Sequence, residues 1–452
     1  MAIVFGRRES GSPPAALTRD GGSRAAGRLA VIDGLRLAAA LMVVMYHYTA
    51  YNSGVKGAWG AKPEVTFPQL HQVSAYGFFG VQLFFIISGF VICMSCWGRT
   101  PGAFFRSRVT RLYPAYWAAV LITTVVLTLW PTVRTRLSWS DVLLNLTMLQ
   151  GALDRPAVDA VYWTLWNEAL FYLLFSVLVW WGLTLSRTMK FCYAWLIASV
   201  LVANSDQQLL RTILQPEYAP FFVAGIALYL IHRFGPDLML WGLVGASYLL
   251  AQFWTVRRVN HVTAKGLTTH LSPVVGVLLI TAFFLVMTVI ALGWTASIRW
   301  RWLTTAGLLT YPLYLLHEYI GWTIIHAVRD VAPRPVVLVA VVLLMLGAAW
   351  LLHRLIERPL ARMLRNGLAA ASTRAGRPDR DEPSPTAPAA PPSPTIETPV
   401  PPKDPSMDDT LVLPIQRGPA TDEGWSPAAH RPPGAPGTGS SPSVTVQASG
   451  HE

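Results

Sequence analysis

The stretch IDGLRLAAALMVVMYHY, residues 32–48, places three ionisable side chains in a segment that is otherwise apolar enough to cross a membrane. Arg36 and His47 are eleven residues apart, which in an α-helix is within roughly 20° of the same direction and about 16 Å further along the axis. Asp33 falls on nearly the same face. Because an arginine inside a span costs roughly 2.5–3.5 kcal/mol to insert, it usually faces a protein interior. The spacing predicts a polar shaft, although an arginine paired with Asp33 and an interfacial histidine would give the same pattern.

Three other apolar stretches each carry polar groups that could take part in the same chemistry: Gln82 in YGFFGVQLFFIISGF, Glu168 in YWTLWNEALFY and His317 in LLTYPLYLLHEYIGW. Counting from the predicted span ends puts all three, with His47, at similar depth in the outer half of the membrane. A carboxyl group and two imidazoles at one level of a low-dielectric bundle suit proton transfer.

The basic stretch FFRSRVTRLYP contains Arg106, Arg108 and Arg111. Arg108 and Arg111 can share a helix face and offer two guanidinium groups to phosphate. The alternative is the ordinary excess of arginine on the cytoplasmic side of membrane proteins. The sequence contains no HExxH, no Cys/His zinc pattern and no glycine-rich phosphate loop, so we expect no bound metal.

These residues require apolar helices to position them. The 452-residue chain is 53% hydrophobic and only 13% charged, with a mean hydropathy of +0.40, which is typical of a polytopic membrane protein. The fold class is therefore all-α, a transmembrane bundle of about ten helices. The predicted spans are 33–52, 76–97, 113–131, 161–183, 189–204, 219–233, 238–254, 273–293, 303–327 and 335–356.

An even number of spans puts both termini on one side, and the arginine-rich segments place that side in the cytoplasm. One loop disagrees, because the basic stretch at 255–270 falls outside. In a membrane protein the net charge of +12 indicates orientation before it indicates nucleic acid, so we expect no nucleic-acid partner. We divide the chain into a basic N-terminal segment (1–29), a transmembrane domain (30–365) and a Pro-rich disordered tail (366–452).

Six of these stretches together are similar to acyltransferase family 3, a family of integral membrane acyltransferases. They are IDGLRLAAALMVVMYH with its arginine–histidine spacing, GFFGVQLFFIISGFVI, RVTRLYPAYW, YWTLWNEALFY, TYPLYLLH and IERPL. The resemblance extends over roughly residues 30–365. It implies a bundle of about ten helices with cytoplasmic termini, in agreement with the charge pattern.

The resemblance also implies roles for individual residues. His47 matches the family's essential histidine, Arg36 its paired arginine, and Glu168 the glutamate of its Trp-rich helix. Arg108 and Arg111 match its Arg-x-x-Arg pair. We add four supporting candidates: Gln82, Tyr172, Tyr311 and His317. Gln82 departs from the family pattern, because many members carry an acid there, and Thr310 stands before Tyr311 where serine is common.

The expected function is transfer of an acyl group, in the main acetyl, from acyl-CoA to a hydroxyl, with His47 as general base and Glu168 and Arg36 as further catalytic residues. Two alternatives stay open: Glu168 is itself the base, or His47 is a nucleophile that carries the acyl group. Acyl-CoA is then a substrate, and no permanently bound cofactor is expected. The resemblance implies a carbohydrate, lipid-linked sugar or macrolide-like acceptor in a bacterial cell envelope, and a location in the plasma membrane, among its lipids. The alternative is a secondary transporter that uses intramembrane histidine, glutamate and arginine as a proton relay.

Overall fold

The computed structural model describes residues 30–375 apart from His270 and Arg299, with side chains as far as Leu368. Every regular element in this part of the chain is a helix, and none of its residues lies in a β-strand. The ten long helices are α1 (Ala30–Thr49), α2 (Gly80–Cys96), α3 (Pro101–Leu129), α4 (Trp163–Trp181), α5 (Leu185–Val202), α6 (Ala219–Phe234), α7 (Leu238–Ala264), α8 (Pro273–Ala291), α9 (Arg301–Val328) and α10 (Arg334–Leu352). The all-helical prediction is confirmed.

Nine of these helices, all but α9, lie in helical stretches of the described residues that are long and apolar enough to cross a membrane. Helix α9 has the length, at 28 residues, but its apolar sequence is interrupted by His317 and Glu318. A helix that carries such groups through a membrane must turn them toward other helices. Both side chains are buried, so α9 meets that requirement.

Apolar side chains cover the outer surface of the bundle. Leu121 and Val125 of α3 are one turn apart and are 50% and 55% exposed. Leu278 and Leu285 of α8 are two turns apart and are 62% and 61% exposed. Large apolar faces of this kind are buried by lipid in a membrane protein. The chain is therefore an integral membrane protein.

Two helices differ from the predicted spans at their ends. Helix α3 begins at Pro101, so the arginines from 106 to 111 belong to its first turns and not to a loop. Thr100 caps this start by accepting a hydrogen bond from the backbone N–H of Ala103, and proline suits the first helical position. Helix α7 continues to Ala264, past the predicted end at 254, so the basic stretch from 255 is helical for most of its length.

Helices α1 and α9 run parallel and in close contact. A Cβ atom added to Gly307 would collide with the side chain of Asp33, and one added to Gly321 would collide with the hydroxyl of Tyr48. The two glycines therefore allow a close approach at both ends of the pair. The hydroxyl of Tyr48 also donates to the carbonyl of His317 at 2.6 Å. This contact fixes the register that places His47 beside α9.

Three short helices, Asn52–Trp59, Pro63–Thr66 and Leu70–Ser74, follow α1 and lead into α2. Two tryptophans close the end of α1, because the indole of Trp59 donates to the carbonyl of Tyr48 and that of Trp322 to the carbonyl of His47, both at 2.9 Å. These carbonyls lie in the last turn of α1, where no further helical N–H is available. The indoles satisfy them and hold the end of α1 against α9.

The chain continues as a helix beyond α10. A π-helical turn, His353–Glu357, leads into a final helix, Arg358–Ala375, which passes the expected domain end at 365. The predicted disordered tail lies outside the described residues from 376 onward, as does the basic segment 1–29. Both of those assignments stay predictions.

Candidate active site

A cavity of about 80 Å³ opens among α1, α2, α3, α4 and α9. We call it the arginine cavity. Its polar and aromatic lining comes from Arg36 of α1, Ser88 of α2, Arg111 of α3, Glu168 and Tyr172 of α4, and Thr310, Tyr311 and Tyr314 of α9. The cavity thus unites residues that lie as far apart in sequence as Arg36 and Tyr314. It contains five of the residues that the sequence singled out as catalytic, binding or supporting: Arg36, Arg111, Glu168, Tyr172 and Tyr311.

The carboxylate of Glu168 is held by two hydroxyl groups. Ser88 Oγ donates to Glu168 Oε1 at 2.9 Å, and Tyr172 Oη donates to the same oxygen at 2.5 Å. Tyr172 lies one helical turn after Glu168 on α4, so this bond is local, whereas Ser88 comes from α2. The two bonds fix Glu168 in the wall of the arginine cavity and leave its second oxygen for another donor.

Arg36 and Arg111 both reach the arginine cavity. Within the described part of the chain, neither guanidinium group donates a hydrogen bond to a carboxylate, hydroxyl or carbonyl. Two cations on one cavity repel each other, and the negative charges of Glu168 and Asp33 offset that repulsion at Arg36. The unused guanidinium donors of the cavity suit an anionic ligand such as a phosphate group.

Arg108 takes a different position from Arg111. Its guanidinium group donates to Ser95 Oγ at 3.3 Å and lies over the rings of Phe104 and Tyr172, at 5.8 and 5.9 Å from their centroids. It is buried and does not line the arginine cavity. The two arginines do not form the shared phosphate site that the sequence spacing predicted. Arg108 instead supports Tyr172, and through it Glu168.

Tyr311 joins the wall of the cavity to α3. Its hydroxyl donates to the carbonyl of Leu112 at 3.1 Å, beside Arg111. Thr310, the residue before it, bonds back to the carbonyl of Ala306 within α9. The predicted supporting role of Tyr311 thus has a physical basis, since it holds the two cavity-lining helices together.

Two histidines meet at the other end of α1. His47 Nδ1 and His317 Nε2 are 2.9 Å apart, and His317 Nδ1 lies 2.8 Å from the carbonyl oxygen of Tyr314. A carbonyl can only accept, so His317 Nδ1 carries the proton and its Nε2 accepts from His47 Nδ1–H. His47 Nε2 then holds a lone pair. This is the tautomer that a general base requires.

Glu318 faces the same histidine and was missed from the sequence. Its Oε1 lies 3.9 Å from His47 Nε2, and the residue is 3% exposed. The carboxyl of Glu318 lies within hydrogen-bonding reach of Asp159, which is fully buried. We call His47, His317, Glu318 and Asp159 the histidine cluster. The signal that could have identified Glu318 is its position next to His317 in an apolar stretch.

Aromatic rings surround His47. Tyr46, Tyr51, His317 and Trp322 have ring centroids 5.1–6.0 Å from the His47 ring, and Tyr51 stacks on Trp322. The side chain of His47 is still 14% exposed. The imidazole is therefore confined by aromatic rings and still partly accessible.

The four polar residues that were expected at one depth lie in three separate places in the structure. Glu168 lines the arginine cavity with Arg36, while His47 belongs to the histidine cluster. Gln82 lines a second, smaller cavity with Tyr218 and Arg258, and the amide orientation that satisfies its surroundings donates to the carbonyl of Phe78 within its own helical turn. One reason is that α1 ends at Thr49 and not at 52, which moves His47 closer to the helix end than the prediction had it.

Tyr314 forms the boundary between the two regions. It lines the arginine cavity, and its ring centroid is 5.6 Å from that of His317. Its hydroxyl bonds to Thr164 and to the carbonyl of Val161. The histidines do not line the cavity. A substrate that occupies both regions must pass this tyrosine.

The described residues contain no group of three or more histidine, cysteine, aspartate or glutamate side chains with the geometry to hold a metal ion. The histidine cluster and the arginine cavity are built from proton-transfer groups and cations. Their arrangement is suited to binding an anion at one end of α1 and moving a proton at the other.

Residues 29–354 match the sequence model of an acyltransferase domain, that of acyltransferase family 3. The chain belongs to this family. It is an integral membrane O-acyltransferase, which decides between the two predicted functions in favour of the enzyme. The acyltransferase MdmB of Streptomyces mycarofaciens is 27% identical to it over 376 residues, which cover 75% of this chain and 92% of MdmB. No solved structure is significantly similar to this acyltransferase.

Proposed function

We propose that this acyltransferase moves an acyl group, in the first instance acetyl, from acyl-CoA to a hydroxyl group of a carbohydrate, lipid-linked sugar or macrolide-like acceptor. The observation that carries the proposal is the pair of guanidinium groups, Arg36 and Arg111, that share one cavity and donate no hydrogen bond to an acceptor among the described residues. Unused donors at a partly buried site indicate an anionic ligand that the protein binds and releases.

The phosphates of acyl-CoA suit these two arginines. Guanidinium groups bind phosphate through paired N–H donors and stay charged inside a membrane protein. The diphosphate would occupy the mouth of the arginine cavity, and the pantetheine arm attached to it would extend along α1 toward His47. The eleven residues from Arg36 to His47 give about 16 Å of helix, close to the length of such an arm.

His47 is the general base in this proposal. Its Nε2 takes the proton of the acceptor hydroxyl, and the hydroxyl oxygen attacks the thioester carbonyl carbon. The carbon–sulfur bond then breaks, and His47 returns the proton to the leaving thiolate. The products are the acyl ester and free CoA. The His317–Tyr314 carbonyl contact keeps the lone pair of His47 on Nε2.

The acceptor approaches from the side of the membrane opposite to the donor. The exposed part of His47 lies among Tyr46, Tyr51 and Trp322, at the end of α1 away from the arginine cavity. With both termini in the cytoplasm of a bacterium, that end faces the cell envelope. This placement favours an envelope glycan or a sugar-bearing small molecule as the acceptor.

The test is release of free CoA by the purified protein in lipid nanodiscs. The probes are acetyl-CoA with either a cell-envelope extract or a sugar-bearing macrolide, and mass spectrometry identifies the acetylated product. We expect acceptor-dependent release that is lost in His47→Ala and retained in His261→Ala, an exposed histidine on α7. No release by the wild type with acetyl-CoA or longer acyl-CoAs, in the presence of either acceptor, would contradict an acyl-CoA donor.

A further inference from the structure

The buried carboxyl groups of Asp159 and Glu318 have no role in the mechanism above. Asp159 caps the 3₁₀ turn Ala160–Tyr162 before α4, and Glu318 is in the middle of α9. They are 0% and 3% exposed. Two carboxylates this close in a low-dielectric site do not both ionise, so the pair shares one proton. One of the two residues holds the proton, and the other carries the remaining negative charge.

The hydrogen bonds of the pair are unequal. Asp159 accepts from two backbone N–H groups, Val161 at 3.3 Å and Tyr319 at 3.2 Å. Among the described backbone donors, only the N–H of Val161 is directed at the carboxyl of Glu318, and Glu318 Oε2 accepts from none. Hydrogen bonds from backbone N–H groups favour the ionised form of a carboxyl. Asp159 is therefore the better anion of the two, and a proton on Glu318 would give its orphaned oxygen a partner in Asp159.

A cation lies near both carboxyl groups of the pair. Arg134, in the segment between α3 and α4, donates to the hydroxyl of Tyr319 and lies over its ring at 5.0 Å. Tyr319 is the residue whose backbone N–H bonds to Asp159. The positive charge of Arg134 therefore acts on both carboxyl groups of the pair and keeps one negative charge there. Capping the 3₁₀ turn requires only one carboxylate oxygen of Asp159. The cap therefore does not explain why a second carboxyl group lies beside it.

We propose that Asp159 and Glu318 hold one proton between them, resident on Glu318, and that the single negative charge of the pair stabilises His47 while it carries the acceptor's proton. This role rests on the proposed function of His47 as the base. The carboxyl pair exchanges no net proton in the cycle, because the proton on His47 goes to the leaving thiolate. Glu318 and Asp159 are positioning residues that act through His47 and do not contact the reacting atoms.

Three variants separate this arrangement from one in which Glu318 is itself the anion. Glu318→Gln keeps a neutral side chain that can donate to Asp159, so kcat falls by less than about threefold. Glu318→Met leaves Asp159 without that donor, and Asp159→Asn removes the charge, so each lowers kcat by about 100-fold, as for the loss of one electrostatic group in an active site. The KM for acetyl-CoA stays within about twofold in all three, because the arginine cavity is unchanged.

Asp141→Asn is the matched control, since Asp141 is a paired aspartate of the same α3–α4 segment that has no contact with the histidine cluster. All variants are compared by gel filtration and thermal unfolding in nanodiscs. If Asp159→Asn does not fold, the contrast between the two Glu318 variants still decides. Equal loss of kcat in Glu318→Gln and Glu318→Met, or full activity in Asp159→Asn, would overturn the proposal.

Infrared difference spectroscopy, which compares the spectra of the wild type and each variant, tests the shared proton in samples that contain no acyl acceptor. The carbonyl-stretching band of a buried carboxylic acid should be present in the wild type, absent in Glu318→Gln, and shifted in Asp159→Asn. A band that survives in Glu318→Gln but is lost in Asp159→Asn would show that the proton resides on Asp159, which would overturn the proposal. Failure of the acyl-transfer proposal would show as no CoA release by the wild type, which this readout does not depend on.

Discussion

The arginine cavity and the histidine cluster lie at opposite ends of α1 and differ in how far their polar groups are already bonded. Arg36 and Arg111 share open space and have no acceptor among the described residues. His47 and His317 are bonded to each other and, through His317, to a backbone carbonyl, with aromatic rings on all sides. Unused donors beside open volume suit a ligand that comes and goes, whereas a pre-bonded pair suits a proton that must move in one direction.

The comparison predicts that variants of the two regions change different kinetic parameters. Variants of the arginine cavity should weaken binding of the donor and raise its KM. Variants of the histidine cluster should slow the chemical step and lower kcat. Tyr314, at the boundary, touches both regions.

The largest effect is expected for His47. His47→Ala removes the base and should lower kcat about 10³- to 10⁴-fold, near the upper range for general acid–base catalysis. The KM for acetyl-CoA should stay within about twofold, because no cavity-lining group is lost. Initial rates of CoA release at varied acetyl-CoA measure both, with His261→Ala as control. A rise in KM with kcat retained would place the donor site at His47 and contradict the assignment of the chemical step to the histidine cluster.

The arginine cavity should respond in the opposite sense. Arg36→Gln and Arg111→Gln each remove a charge-assisted bond worth about 1.5–3 kcal/mol, so each should raise the KM for acetyl-CoA about 10- to 100-fold with kcat nearly unchanged. Arg257→Gln on α7 removes the same charge at an exposed position and should have no effect. If Arg257→Gln raises the KM as much, the effect comes from net charge and not from this cavity.

His317 should show a smaller effect that depends on the replacement. His317→Ala leaves the Nδ1–H of His47 without an acceptor in a buried site, which costs about 1–3 kcal/mol and should lower kcat about tenfold or more. His317→Gln keeps a carbonyl oxygen that can accept this bond and should retain most of the activity. Steady-state kinetics of the two variants measures this, and an equal loss in both would argue that His317 has a role other than holding the tautomer.

The smallest effect concerns pH and the segment that carries Asp159. Hydrogen bonds from Ser138 and Arg155 lower the pKa of Asp141, which is in this segment. A lowered pKa stabilises the folded protein above the ordinary aspartate range, and this contribution is lost as the pH falls through the folded value. Thermal unfolding of the wild type and Asp141→Asn should therefore differ at neutral pH and converge in acid. A difference that persists in acid would show that the charge of Asp141 is not its cause.

Much of the fold could be predicted because the bilayer imposes the pattern. Ten apolar stretches became ten long helices, and even the short sixth span was found, as α6. The helix ends were harder. Helix α3 starts at Pro101, well before the predicted residue 113. The arginines in its first turns interrupt the apolar pattern on which the prediction relied. The capping threonine and the proline do favour a helix start there.

The site was predicted in part. Arg36, His47, Glu168 and His317 all lie in the two regions, because ionisable groups inside apolar spans stand out. Their grouping was not predictable, since it depends on which helices touch. His47 and His317 are 270 residues apart, and their contact follows from the close packing of α1 on α9 through Gly307 and Gly321. Asp159 lies outside every predicted span, and only the fold places it beside Glu318.

The most direct test of the division between the two regions is equilibrium binding of labelled acetyl-CoA to the protein in nanodiscs. The samples are the wild type, His47→Ala, and the double variant Arg36→Gln with Arg111→Gln. We predict that His47→Ala binds with the wild-type Kd and releases no CoA, whereas the double variant binds at least about 100-fold more weakly. Wild-type binding by the double variant, or lost binding in His47→Ala, would contradict the account.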